Sequence, residues 1–419
     1  MEYLLRGDIC YSENLKTLIC KENAYLHIKD GLCQGVYDSL PKELSSVEIK
    51  DYSGDLILPG MVDLHLHAPQ YGFRGTKMDL ELLDWLNVNT FPEEAKYQNL
   101  DYAERGYRDF VEDLRGSATT RAVIFATLHK DATLLLMKLL EESGLVSYVG
   151  KVNMDRNSPE YLTEHTAEES LKNTKEWLSE IPKDWQNCKP ILTPRFTPTC
   201  SDALMEGLGK LAKEYKLPVQ SHLSENLGEI AWVKELCPDA KHYGDTYDRY
   251  GLLENSIMAH CVYTEGEELS ALKARGTMVC HCPQSNTNLC SGAAPIRYFL
   301  EENVKVGLGT DVAGGANLSM LRAITDAISV SKLRFRLMDQ SLAPLTLEEA
   351  FCLATLSGGS FFGKVGSFLP GYEADALVFH EKRRSVRKQM VKERLEVLLY
   401  TGEESARLQA KFVQGRQLF

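Results

Sequence analysis

From residue 61 onward, short apolar runs alternate with helical patterns, and eight runs occur, at 61–64, 121–127, 145–152, 190–193, 218–221, 256–259, 277–280 and 304–309. No other feature restricts the fold as much. Parallel strands need a crossover between neighbours, and eight strands with helical crossovers close into a (β/α)8 barrel. The connecting segments carry the expected punctuation. Leu204, Leu208, Leu211, Ala212 and Tyr215 share a helical face behind Ser201 or Asp202 as cap. Leu136, Leu139 and Leu140 do the same after Asp131, with Gly144 as stop. Thr264-x-x-Glu267 and Thr346-x-x-Glu349 read as capping boxes.

Outside this stretch the pattern is β. Residues 24–28 and 32–36 flank Lys29-Asp30-Gly31, an Asp-Gly turn, and residues 374–379 and 411–414 return to strand. The expected fold class is therefore α/β. A TIM barrel over residues 59–365 is flanked by a small β domain built from both chain ends, residues 1–58 and 366–419.

At 419 residues the chain can bury a large core without staples. Its 47 Lys and Arg against 59 Asp and Glu leave a net charge of −12, which argues against a nucleic-acid or anionic-membrane partner. The eleven cysteines are scattered and form no CxxC pair, so they are expected as buried thiols of an intracellular protein. The start at Met1-Glu2-Tyr3-Leu4-Leu5-Arg6 carries no apolar stretch behind a basic head. No segment approaches the roughly 20 apolar residues of a membrane span. A soluble, cytoplasmic protein is expected.

The chemistry concentrates at the strand ends. Met61-Val62-Asp63-Leu64-His65-Leu66-His67 closes the first run with His-x-His, and in a strand residues i and i+2 point to the same side. His222 ends the fifth run, His260 the sixth, and Asp311 follows the eighth. The C-terminal rim of such a barrel is where active sites sit. His65, His67, His222, His260 and Asp311 would ring one point there, and four imidazoles with one carboxylate suit Zn²⁺ or Fe²⁺ rather than Mg²⁺ or Ca²⁺. Glu225, three residues after His222, would then serve as proton carrier for a metal-assisted hydrolysis. The bland alternative is a first-turn Glu favoured by the helix dipole.

The combination resembles the amidohydrolase superfamily, and within it most closely the guanine deaminases. The segments that carry the likeness are His67-Ala68-Pro69-Gln70-Tyr71, Pro194-Arg195-Phe196-Thr197, Gln220-Ser221-His222-Leu223-Ser224-Glu225, His281-Cys282-Pro283-Gln284-Ser285-Asn286 and Gly309-Thr310-Asp311-Val312-Ala313-Gly314-Gly315. The likeness spans residues 58–371. It implies zinc on His65, His67, His222, His260 and Asp311. It also implies that Gln70, Arg195, Phe196 and Glu225 meet a purine base, with His67, His222 and Asp311 bordering the same pocket. Glu225 and Asp311 would be the catalytic pair. The reaction implied is hydrolysis of guanine to xanthine and ammonia, in a homodimer of purine catabolism. Pro69 stands where a small polar residue is more usual in the family.

The fourth run ends in Thr193-Pro194-Arg195-Phe196 without a lysine. Binuclear members of the superfamily use a carbamylated lysine there, so one metal per chain is expected. Cys280 and Cys282 are read as packed thiols and His281 as a hydrogen-bonding support, while His129 and His242 are ordinary loop residues and His165 a weak candidate. An Arg fork matches the O6/N7 edge of guanine, and the Gln70 amide can address the N3/N9 edge. Against this, Arg195 pairs with a nearby carboxylate and only holds the rim. Two rival functions are a sibling deaminase acting on 8-oxoguanine, an S-adenosylhomocysteine-type nucleoside or a triazine, and a barrel that has lost catalysis and serves as a scaffold.

Overall fold

Met61–His67 is buried along all seven residues, as a strand covered on both faces must be, and it opens the barrel. A computed structural model describes residues 1–382 and 385–419. Eight parallel strands form in two runs of four. Met61–His67, Thr119–Phe125, Val146–Gly150 and Cys188–Pro190 pair in that order, as do Val219–Leu223, Ser256–His260, Met278–His281 and Lys305–Leu308. Two seams join the runs. At one, Leu192 N donates to Pro218 O and Gln220 N to Leu192 O. At the other, Asp311 N donates to His65 O and His67 N to Val312 O. Each of the eight apolar runs expected from sequence contributes a barrel strand, with ends displaced by a few residues.

The helices follow their patterns. Asp202–Tyr215 starts at Ser201, whose hydroxyl accepts from Leu204 N, and buries Leu204, Leu208 and Leu211. Lys130–Ser143 stops at Gly144, φ +78°, the left-handed conformation that favours glycine. Thr346 and Glu349 form their capping box. Thr264 and Glu267 do not: the helix Gly266–Arg275 is entered from Glu265, and Thr264 donates to Glu268 Oε2 at 2.6 Å. The burial of Glu268 explains the change, because its carboxylate must be satisfied, and Ser224 Oγ and Gly244 N also donate to it.

Both chain ends build a seven-stranded sheet. Its order is Arg416–Gln417, Ala406–Val413, Ala376–Glu381, Glu48–Pro59, Glu2–Asn14, Thr17–Lys29 and Leu32–Tyr37. Asp30 and Gly31, at φ +49° and +80°, make the two-residue turn between the last two strands. The C-terminal segment is not β throughout. Val391–Thr401 is a helix burying Val391, Leu395, Leu398 and Leu399, an i, i+4, i+7, i+8 spacing that marks one helical face.

Arg121, on the second barrel strand, ties this sheet to the barrel. It donates from Nε to Asp375 Oδ2 at 2.7 Å and from Nη2 to Glu373 Oε2 at 2.8 Å. Arg121 and Asp375 are both buried. Removing one partner of a buried pair strands the other charge, so Arg121→Met is expected to lower stability by about 3–5 kcal/mol. Denaturant unfolding checks this, and an unchanged midpoint would refute it.

Candidate active site

The period-2 alternation of the first barrel strand sends Asp63, His65 and His67 to the same side, toward the C-terminal mouth of the barrel. Asp63 is fully buried and accepts from Thr310 Oγ1 at 2.6 Å and Thr310 N at 3.0 Å. It thereby ties the start of the chain segment that carries Asp311 to the strand that carries the His pair. Burial pushes the Asp63 carboxyl up to about 7, against the pull of the Thr310 hydroxyl and amide. Asp63 has no role assigned from the sequence pattern, although the Asp-x-His-x-His spacing places it on the same face.

All five expected metal-binding candidates meet at this mouth. His67 Nε2 lies 3.3 Å from both His65 Nε2 and His222 Nε2. Asp311 Oδ1 lies 3.2 Å from His65 Nε2 and 3.4 Å from His67 Nε2, and its Oδ2 lies 3.8 Å from His260 Nε2. A main-chain carbonyl and a side-chain amide beyond the cluster set two of the tautomers. His222 Nδ1 donates to Arg195 O at 2.7 Å, and His260 Nδ1 to Asn286 Oδ1 at 2.8 Å, which leaves the Nε2 lone pairs facing inward. Burial lowers the pKa of His65, brings His67 down to about 4 and holds His222 well below its usual range. These shifts favour the neutral imidazole of His65, His67 and His222, the form that ligates. Converging lone pairs repel unless a cation lies among them. Their 3.3 Å separations match the edge of a tetrahedron with bonds of roughly 2.0–2.1 Å. The donor set fits a divalent metal. His260 and Asp311 reach inward from backbone at φ +73° and +48°, where non-glycine residues cost about 1–3 kcal/mol, a strain typical of functional sites.

Glu225 lies just outside the helix Leu227–Leu236. The helix is capped by Asn226, and Glu229 supplies the capping-box carboxylate. The alternative of a first-turn Glu thus falls to Glu229. Ser224, at φ +47°, makes the turn that sends Glu225 back over the cluster, with its Oε2 3.3 Å from His260 Nε2. Ser291 Oγ donates to the other oxygen, Oε1, at 3.0 Å. Burial pushes the Glu225 carboxyl up to about 8, helped by the neighbouring Asp311 and opposed by Ser291. Ser291 stands outside the segments that carry the family likeness, and Asn286 ends one of them without a role assigned to it. Each lies in the loop and helix region after the seventh strand, where nothing local marks its partner.

A small pocket opens over the cluster. His67, Gln70, Arg195, Phe196, His222, Glu225, His260 and Asp311 all border it. Leu82, Trp85 and Leu86 form an apolar wall that sequence reasoning did not identify. The Arg195 fork does not stand open in the pocket. Its Nη1 donates to Glu94 Oε2 at 2.6 Å and its Nη2 to Glu94 Oε1 at 3.1 Å. Gln70 is engaged too, donating to Glu94 Oε1 at 2.8 Å and accepting from Ala313 N at 3.2 Å. The carboxylate pairing weighed for Arg195 is thus present, on a residue that also borders the pocket.

Four other expectations meet the structure here. The fourth strand does hold a lysine, Lys189, because it begins at Cys188 rather than Pro190. Lys189 is exposed and lies at the N-terminal end of the strand, five residues before the Thr193–Pro194 end near the site. Cys280 and Cys282 are buried, with Sγ atoms 3.8 Å apart, though Cys282 Sγ also lies within 4.8 Å of donor atoms of His65, His260 and Asp311. Burial and the adjacent Cys280 push the Cys282 thiol well up, which disfavours the thiolate that ligates. His281 is buried, but its Nδ1 has no hydrogen-bond partner among the described residues. His165 is exposed and lies outside the pocket lining.

Comparison with known proteins agrees with this geometry. The amidohydrolase family pattern matches residues 56–403. A guanine deaminase of Rattus norvegicus is 44% identical over 345 residues, covering 80% of this chain and 75% of that protein. One of Escherichia coli K12 is 35% identical over 413 residues, covering 95% and 91%. The crystal structure of guanine deaminase from C. acetobutylicum with bound guanine in the active site superposes with a TM-score of 0.97 at 43% identity, over the whole of both chains. Sequence pattern, fold and relatives agree, and the chain belongs to the amidohydrolase family, among its guanine deaminases.

Proposed function

We propose that this chain hydrolyses guanine to xanthine and ammonia, using one divalent metal, zinc or iron, held by His65, His67, His222, His260 and Asp311. The observation that carries the reading is a single pocket bordered both by this imidazole cluster and by Arg195 and Gln70, whose donors suit a purine edge. A metal bound there supplies the Lewis acidity that makes water a nucleophile near neutral pH.

The chain's own residues do the rest. Phe196 borders the pocket beside the His222 ring, 6.5 Å centroid to centroid, and offers an apolar face to a flat base. Leu82, Trp85 and Leu86 line the same pocket with apolar side chains. As water oxygen bonds to C2, Asp311 and Glu225 take up its proton. Ser291 holds Glu225 Oε1, so Oε2 is the oxygen free to carry a proton to the ring nitrogen. A carboxyl pushed up to about 8 suits that shuttle near neutral pH. The remaining proton of the former water then passes by way of Asp311 to the 2-amino nitrogen, the C2–N bond breaks, that group leaves as ammonia, and the ring keeps the water oxygen as the xanthine carbonyl.

Ultraviolet absorbance with guanine as substrate tests the reading, because loss of guanine and growth of xanthine are directly visible. No turnover by metal-loaded protein refutes it. Adenine places an amino donor where guanine has O6, so adenine and cytosine are expected to show no measurable turnover. Arg195→Ala should lower kcat/KM for guanine by at least about 10²-fold, the size of a lost charged hydrogen bond or two. Near-normal kcat/KM in that variant removes Arg195 from substrate recognition.

A cytoplasmic, homodimeric enzyme of purine catabolism completes the proposal. All eleven cysteines are free, as in a reducing compartment. Among the described residues no helix is long and apolar enough to cross a membrane.

A further inference from the structure

Glu94 is 1% exposed and sits at the end of a short helix, Phe91–Glu94, in the segment that follows the apolar pocket wall. It is the only hydrogen-bond acceptor that the Arg195 guanidinium has among the described residues. The same carboxylate takes the Gln70 amide, and the Phe91 ring lies 5.2 Å from Arg195 Cζ. Two pocket residues, from the ends of the first and fourth strands, are thus held by one buried anion. A guanidinium has five N–H donors in a fixed plane. With one edge bound bidentately by Glu94, the remaining donors point along directions that the carboxylate fixes.

Resting on the guanine reading above, we infer that Glu94 is a positioning residue for specificity: it clamps the Arg195 fork and the Gln70 amide so that the outer edge of the guanidinium meets the O6/N7 side of the base. Glu94 need not touch the substrate. An unclamped Arg195 would be a buried cation with free rotamers, able to swing its donors away from a mismatched amino group. The clamp turns it into a fixed donor array that donates to O6 and opposes an amino group.

The test is Glu94→Gln, which keeps the shape but presents an NH₂ group to one arm of the fork, where two donors oppose. Guanine KM should rise roughly 10-fold or more, the scale of one charged hydrogen bond. Elemental analysis should show the wild-type metal content. The deciding probe is 2-aminopurine, which keeps the 2-amino group and N7 but lacks O6. As a competitive inhibitor its Ki should weaken clearly less than guanine KM does, because it offers the fork only N7 and never made the O6 contact. If guanine KM and 2-aminopurine Ki weaken by the same factor, Glu94 merely supports the pocket wall and the inference fails. It fails as well if neither constant moves. Breaking a buried pair can prevent folding, so the double variant Glu94→Gln/Arg195→Met, which buries no charge, serves as the second arm. On the Arg195→Met background the Glu94 change should cost guanine kcat/KM far less than it does in the wild type, only the Gln70 contact remaining to be weakened, since residues acting through one another do not add. A loss there as large as in the wild type refutes action through Arg195. Wild-type protein that does not turn over guanine overturns the proposed function instead, so the two failures remain separate.

Discussion

Glu225→Gln is expected to cut kcat for guanine by at least about 10²–10⁴-fold, the usual cost of removing a positioned acid–base group, and by more if it moves protons in several steps. The amide fills the same volume and still accepts from Ser291, so the pocket should keep its shape. It cannot take a proton from water or give one to the ring. Because the lost function belongs to the transition state, KM should change far less than kcat. Metal content should match the wild type, since Glu225 lies beside the His and Asp cluster as a sixth group. Single-turnover kinetics with parallel elemental analysis measures both quantities. A variant that keeps more than about a tenth of kcat would show that another group carries the proton.

His222→Ala is expected to lose metal and activity together. Its Nε2 lies 3.3 Å from that of His67, and its Nδ1 holds the Arg195 carbonyl, so the change removes a donor and frees the strand end that carries a pocket residue. His260→Ala should do the same. Asn286→Ala provides the graded control. It removes only the acceptor that orients His260, and such outer partners typically cost about 10–100-fold in metal affinity. The expected order is therefore wild type with about one metal per chain, Asn286→Ala loaded only at raised metal concentration, and the His variants empty. Elemental analysis after dialysis reads this directly. Two tightly bound metals per wild-type chain would sink the single-metal reading, and a fully loaded, active His222→Ala would remove that residue from the site.

The barrel was legible because its signals are local. Each apolar run, the Ser201 cap, the Gly144 stop and the His-x-His alternation depend on neighbours within a few residues, where backbone geometry sets which side chains share a face. Capping was less secure for the same reason in reverse. Thr264-x-x-Glu267 has a local signature, yet the need to satisfy buried Glu268 took Thr264 for another partner. The helix Val391–Thr401 carried a periodic pattern that the surrounding strands obscured.

By itself, the sequence determined the architecture and which residue types converge at the barrel mouth: strand-end His65, His67, His222 and His260, with Asp311 and Glu225. Those follow from periodicity and from the rule that strand ends of one barrel share a rim. Only the tertiary structure decided what holds and orients them. Asp63 fixes Thr310, Asn286 and the Arg195 carbonyl fix the imidazoles, Ser291 fixes Glu225, and Glu94 takes the Arg195 fork across 101 positions of chain. The physical reason is desolvation. A buried polar group must find a partner wherever the fold brings one, and that partner's place in the sequence carries no periodic mark.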